Sequence, residues 1–142
     1  MTKFLLTDEL RTGISLIDSD HRELADRVNE LFDAMESGAG GQRLRSAMDE
    51  LIAYTSEHFG REEAEMRRID YVAALAHQAE HAKLLKQVIE LKKVVEAGGK
   101  LNVPALIEFL DTWLHEHILD ADMKLAAALK RAGSAEKLAQ AH

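Results

Sequence analysis

The chain has 142 residues, 46% of them hydrophobic and 30% charged, which supplies one sizeable core and excludes a disordered chain. Against 25 Asp and Glu stand 18 Lys and Arg, for a net charge of −7, and no basic tract is long enough to follow a phosphate backbone, so nucleic acid is disfavoured as a partner. Zero cysteines remove disulfides and thiolate chemistry, the N-terminus carries acids too early for a signal peptide, and no apolar run approaches the roughly 20 residues that span a bilayer. A cytoplasmic protein with no membrane partner is the expectation.

A single proline and eight glycines are few for a chain of many strands and turns, and no internal run alternates like a half-buried strand. The sequence predicts an all-α protein. Residues 1–17 form an N-terminal arm. A first helix starts near Asp18 or Ser19 as N-cap and carries His21, Leu24, Val28, Leu31, Phe32 and Met35 on one stripe, ending at the glycine-rich stretch Ser37 to Gly41. A second runs from about Gln42 toward Ile69, with Leu44, Met48, Leu51, Thr55, His58, Glu62, Met66 and Ile69 spaced by three or four. Gly60 is tolerated inside it.

The third predicted helix, from about Val72 to Ala97, aligns His77, His81, Leu84, Val88, Leu91 and Val95 before a Gly98-Gly99 stop. The fourth starts after Asn102 with Pro104 in its first turn, and Leu106, Leu110, Trp113, Leu114, His117, Ala121 and Leu125 lead toward Ala132-Gly133. A short C-terminal helix is allowed from Ser134, in a tail over residues 134–142. Four long helices with short links pack as an antiparallel up-down-up-down bundle, so residues 1–142 are read as a single domain.

Every predicted stripe is interrupted by histidine near mid-bundle. His58 and Glu62 stand at i and i+4, as do His77 and His81, so each pair projects together toward the interior. Buried imidazoles and carboxylates need partners, and a donor set without thiolate suits iron, manganese or zinc. The ferritin-like di-iron pattern requires Glu three residues before His, whereas Thr55, Ala74, Gln78 and Leu114 occupy those positions. A zincin would need histidine where Leu119 stands. Neither a phosphate-binding glycine loop nor a GxSxG elbow occurs.

The chain resembles the hemerythrins, in particular the single-domain bacterial type with an HHE cation-binding domain. The residues that carry this resemblance are Gly13 to His21, His58 to Met66, His77 to His81, and Trp113 to Asp122. The resemblance implies a cofactor of two non-haem irons with a hydroxo or oxo bridge, His77, His81 and His117 on one metal and His21 and His58 on the other. Glu62 and Asp122 would bridge them. Leu24, Trp113 and Ile118 would line an oxygen pocket, and the implied partner is dioxygen, bound reversibly for transport, storage or delivery. Leu6 and Val72 depart from the family pattern, in the arm and in the second inter-helix loop.

The implied activity is carriage rather than catalysis. An oxygen or redox sensor working through a separate, unidentified protein partner is an alternative, as is turnover of peroxide or nitric oxide with His115, Glu116 and Asp120 supplying protons. One ligand sets helical counting against the resemblance. From His117, Asp120 lies about 60° around an α-helix and Asp122 about 140°, so counting favours Asp120 while the resemblance favours Asp122. Asp122 is taken as the bridge, helped by local unwinding of the helix, and Asp120 as solvated.

Overall fold

The computed structural model describes the backbone at residue 4 and over residues 7–38, 41–96 and 103–140. Every regular element among them is helical: a 3-10 turn at Asp8–Leu10, then α1 (Ser15–Glu36), α2 (Gly41–Arg68), α3 (Ala74–Glu96), α4 (Val103–His117), a π-helical segment Ile118–Asp122, and α5 (Met123–Gln140). The fold is an antiparallel up-down-up-down four-helix bundle in which α4, the π segment and α5 form the fourth rod. Neither the Gly98-Gly99 stop nor the Asn102 start falls within the described residues. No helix among them is long and apolar enough to cross a membrane.

Helix α1 begins earlier than the sequence suggests, because Asp18 does not open it. The carboxylate of Asp18 reaches back to accept hydrogen bonds from the Thr12 N–H at 2.8 Å, the Thr12 hydroxyl at 2.7 Å and the Gly13 N–H at 3.1 Å. It thereby closes the turn before the helix, in which Gly13 takes a φ of +82° that favours glycine. His21 consequently sits well inside α1 rather than at its start. The arm is pinned further up α1, where the Phe4 N–H donates to Asn29 Oδ1 at 2.6 Å and Asn29 Nδ2 donates to the Phe4 carbonyl at 3.1 Å.

Helix α2 ends in a cap that the sequence disguises. The Tyr71 N–H donates to the Met66 carbonyl and the Asp70 N–H to that of Arg67, the paired bonds of a Schellman motif, with Asp70 rather than glycine in the left-handed conformation at φ 51°. Short polar side chains tolerate that region better than most. The result is a short link that sets the register of α3 against α2.

The largest departure lies in the fourth rod. The expected break near Gly133 is absent, and α5 runs through that residue to Gln140 as one helix, the glycine costing about 1 kcal/mol relative to alanine. No separate C-terminal helix forms. What interrupts the rod is the π segment, where the Met123 N–H donates to the Ile118 carbonyl across five residues.

Two apolar clusters result. The larger gathers Leu24, Val28, Phe32, Met48, Leu51, Leu84, Val88, Leu110, Trp113, Leu114 and Ile118, and the smaller Ile17, Met66, Leu125 and Leu129. Ile17 lies about one turn before His21, Met66 about one turn beyond Glu62, and Leu125 about one turn beyond Asp122. The histidines and carboxylates therefore form a polar layer between two dry ones.

Candidate metal centre

All seven residues of the expected ligand set are buried: His21, His58, Glu62, His77, His81, His117 and Asp122 are each at most 7% exposed. Their donor atoms fall into two groups, each with its atoms within 4.8 Å of one another, one made of Glu62, His77, His81, His117 and Asp122 and the other of His21, His58, Glu62 and Asp122. Glu62 and Asp122 belong to both. One group holds three imidazoles and the other two.

Each pair is placed by an ordinary helical turn. The i, i+4 spacing in α2 puts His58 Nε2 at 3.2 Å from Glu62 Oε2, and across the α2–α3 interface Glu62 Oε1 lies 2.9 Å from His81 Nε2 and 3.4 Å from His77 Nε2. Asp122 meets His21 Nε2 at 2.7 Å through Oδ2, while its Oδ1 is 3.2 Å from the Nε2 atoms of both His77 and His117. The π segment makes this last contact. An extra residue in the turn brings position i+5 round to the side of His117, whereas Asp120 points outward, its side chain 79% exposed beside Lys124. The rod thus stays helical through this segment instead of unwinding.

Electrostatics follow from crowding charge in a dry layer. Burial and the charge of Asp122 oppose ionisation of Glu62, yet the facing imidazoles of His58, His77 and His81 outweigh them and lower its pKa. Asp122 is likewise held below the usual range, burial being overcome by His117, His21 and His77. Burial opposes charge on His58 and His77, but their carboxylate partners push both up to about 9. His81 moves the other way: burial lowers it more than Glu62 raises it.

These shifts give the metal-free protein a defined pH profile. The raised His58 and His77 contribute stability that is full below their ordinary 6.5 and is lost as pH rises through about 9, while the depressed carboxylates contribute above their ordinary range and fail in acid. His81, whose burial resists charging, instead costs stability in acid, below its ordinary 6.5, and adds no slope above it. Urea melts of metal-free protein are expected to show a falling midpoint between pH 6.5 and 9, and a flat profile there would contradict the pairing of His58 and His77 with the two acids.

Whether the residues fit a cation is tested by their orphaned atoms. His58 Nε2, His77 Nε2, His117 Nε2, Glu62 Oε2 and Asp122 Oδ1 are buried without a hydrogen-bond partner, although carboxylate and imidazole atoms crowd around them. Such groups are costly unless something supplies the missing contact. Two anionic carboxylates shared between clusters of imidazole suit a pair of divalent cations of the iron, manganese and zinc kind. The fit is good.

The expected oxygen-pocket residues lie in the larger apolar cluster, with Leu24 at 1%, Ile118 at 0% and Trp113 at 6% exposure. Trp113 and His117 share the wall of a surface cleft of about 380 Å³ with Leu84, Glu80 and the candidate proton donors Glu116 and Asp120. The candidate proton donors face outward: Glu116 and Asp120 are exposed, and His115 is half-buried, 3.6 Å from Glu9. One set of residues escaped the sequence reading. Asp20, 6% exposed, accepts hydrogen bonds from His58, Tyr54 and Arg61. Its signal was present, since Tyr54 and Arg61 stand four before and three after His58, on the same face of α2.

The chain is similar to known proteins over most of its length. A profile of the hemerythrin HHE cation binding domain matches residues 12–129. A bacteriohemerythrin of Pseudomonas aeruginosa is 30% identical over 134 residues, covering 94% of this chain and 86% of its own, and one of Methylococcus capsulatus is 33% identical, covering 80% and 86% respectively. The crystal structure of a wild-type hemerythrin superposes with a TM-score of 0.80 at 32% identity, over 91% of this chain and 97% of the other.

Proposed function

Because the chain belongs to the hemerythrin family, we propose that it binds dioxygen reversibly at two non-haem irons, serving oxygen transport, storage or delivery rather than catalysis. The observation that carries this reading is the pair of donor groups joined through Glu62 and Asp122, with three imidazoles on one side and two on the other. His77, His81 and His117 would hold one iron and His21 and His58 the second, with Glu62 and Asp122 shared between the two groups. The group with fewer imidazoles would leave more of its metal's coordination to an exogenous ligand.

When bound, such a pair supplies reversible two-electron exchange with dioxygen. The chain's own part is to hold the donors and to keep the layer dry. Glu62 and Asp122, kept ionised by the surrounding imidazoles, balance cationic charge without offering a proton. Leu24 and Ile118 close the apolar side of the layer, while the cleft that reaches His117 lies beside the three-imidazole group. The apolar wall keeps water from that side of a bound ligand, which favours release over onward chemistry.

Anaerobic loading with ferrous iron tests the reading. Two irons per chain are expected, with a visible absorption band that appears on adding oxygen and disappears on removing it. A preparation that binds one zinc and no iron, or whose oxygen response is immediate and irreversible, would defeat it.

A further inference from the structure

Asp20 is held by four donors that all come from one neighbouring helix. Its Oδ2 accepts from His58 Nδ1 at 2.9 Å and Arg61 Nε at 2.8 Å, and its Oδ1 from the Tyr54 hydroxyl at 2.9 Å and a second Arg61 nitrogen at 2.8 Å. Arg61 thus engages the carboxylate through two parallel bonds and also lies over the Tyr54 ring, 5.3 Å from its centroid. A carboxylate gripped in this way cannot rotate away. It can only accept, so His58 donates from Nδ1, and Nε2, beside Glu62, is the nitrogen left to face the centre and to serve as its donor once deprotonated.

Three of the other imidazoles are held differently. The Nδ1 atoms of His21 and His117 are buried with no hydrogen-bond partner, and that of His81 faces Glu63 only at 3.6 Å. His58 also lies in the donor group that has only two imidazoles, where the loss of one well-aimed donor removes a larger share of the protein's grip. Asp20 itself takes no part in either donor group. It precedes His21 on α1 but turns toward α2, so one helix contributes both a central donor and the support for its neighbour.

We propose that Asp20, clamped by Tyr54 and Arg61, is a positioning residue that fixes the ring and donor nitrogen of His58 and so sets how tightly the two-histidine side holds its iron. The proposal rests on the assignment of His58 as a ligand. Removing a support of this kind weakens a metal site about 10- to 100-fold, and the weakening here is confined to one of two irons.

The test follows iron release from the loaded protein to a ferrous chelator, together with the midpoint potential of the pair. In Asp20→Asn, one iron is expected to leave about 10- to 100-fold faster than in the parent while the other keeps its rate, the potential moves, and Asp20→Glu restores part of the retention. Tyr54→Phe, which keeps the ring and removes one support, accelerates the same iron by a smaller factor and serves if Asp20→Asn does not fold. Parental release of both irons in the variants, or equal acceleration of both, overturns the proposal. His58→Ala separates the two readings: if it retains both irons like the parent, the ligand assignment itself fails, and if it alone loses an iron, only the role of Asp20 does.

Discussion

Asp122→Ala is expected to lose the coupled iron pair, falling to at most one iron per chain, while Asp120→Ala keeps both irons and the parental spectrum. The two acids are only two residues apart, yet their surroundings are opposite. Asp122 is fully buried and lies 2.7 to 3.2 Å from three imidazoles on two other helices and its own rod, whereas Asp120 pairs with Lys124 in solvent. An exposed pair of that kind contributes about 0 to 1 kcal/mol. Metal analysis and magnetic spectroscopy of the two variants decide the matter, and loss of the coupled pair in Asp120→Ala alone would reverse the assignment.

Iron removal is expected to produce the second large effect. Five buried donor atoms lack a hydrogen-bond partner, and at the low end of the usual cost, about 1 kcal/mol each, their exposure to an empty layer amounts to about 5 kcal/mol. For a chain of this size that corresponds to a melting temperature lower by roughly 15–20 °C. Matched thermal melts with and without iron check it, and superimposable curves would mean that the layer is satisfied by something other than metal.

The bundle and the polar layer were legible in the sequence because both rest on one periodicity. Val28, Leu31, Met48, Leu51, Val88 and Leu110 mark the core by spacing alone, and all are buried. His58 with Glu62 and His77 with His81 stand out because polar groups recur within that spacing. Illegible features were those in which a residue acts outside its regular position. Asp18 resembles an N-cap but binds the turn behind it, and Asp70 fills a place usually taken by glycine. The π segment has no composition of its own: Ile118 to Asp122 reads as plain helix, and only its downstream contacts require the extra residue. Asp20 was hidden by its neighbour, since a carboxylate next to a histidine on a helix points elsewhere unless a second helix comes to meet it.

The short link capped by Asp70 bears on the order of assembly. His58, Glu62, His77 and His81 all lie on the α2–α3 hairpin, and the contact between His81 and Glu62 spans 19 residues, whereas His21 meets Asp122 across 101. Closing the shorter loop costs less chain entropy, and contacts close in sequence form sooner. Four of the seven donors can therefore be brought face to face by one hairpin. The contact between His21 and Asp122 closes the longest loop in the site and so carries its largest chain-entropy cost.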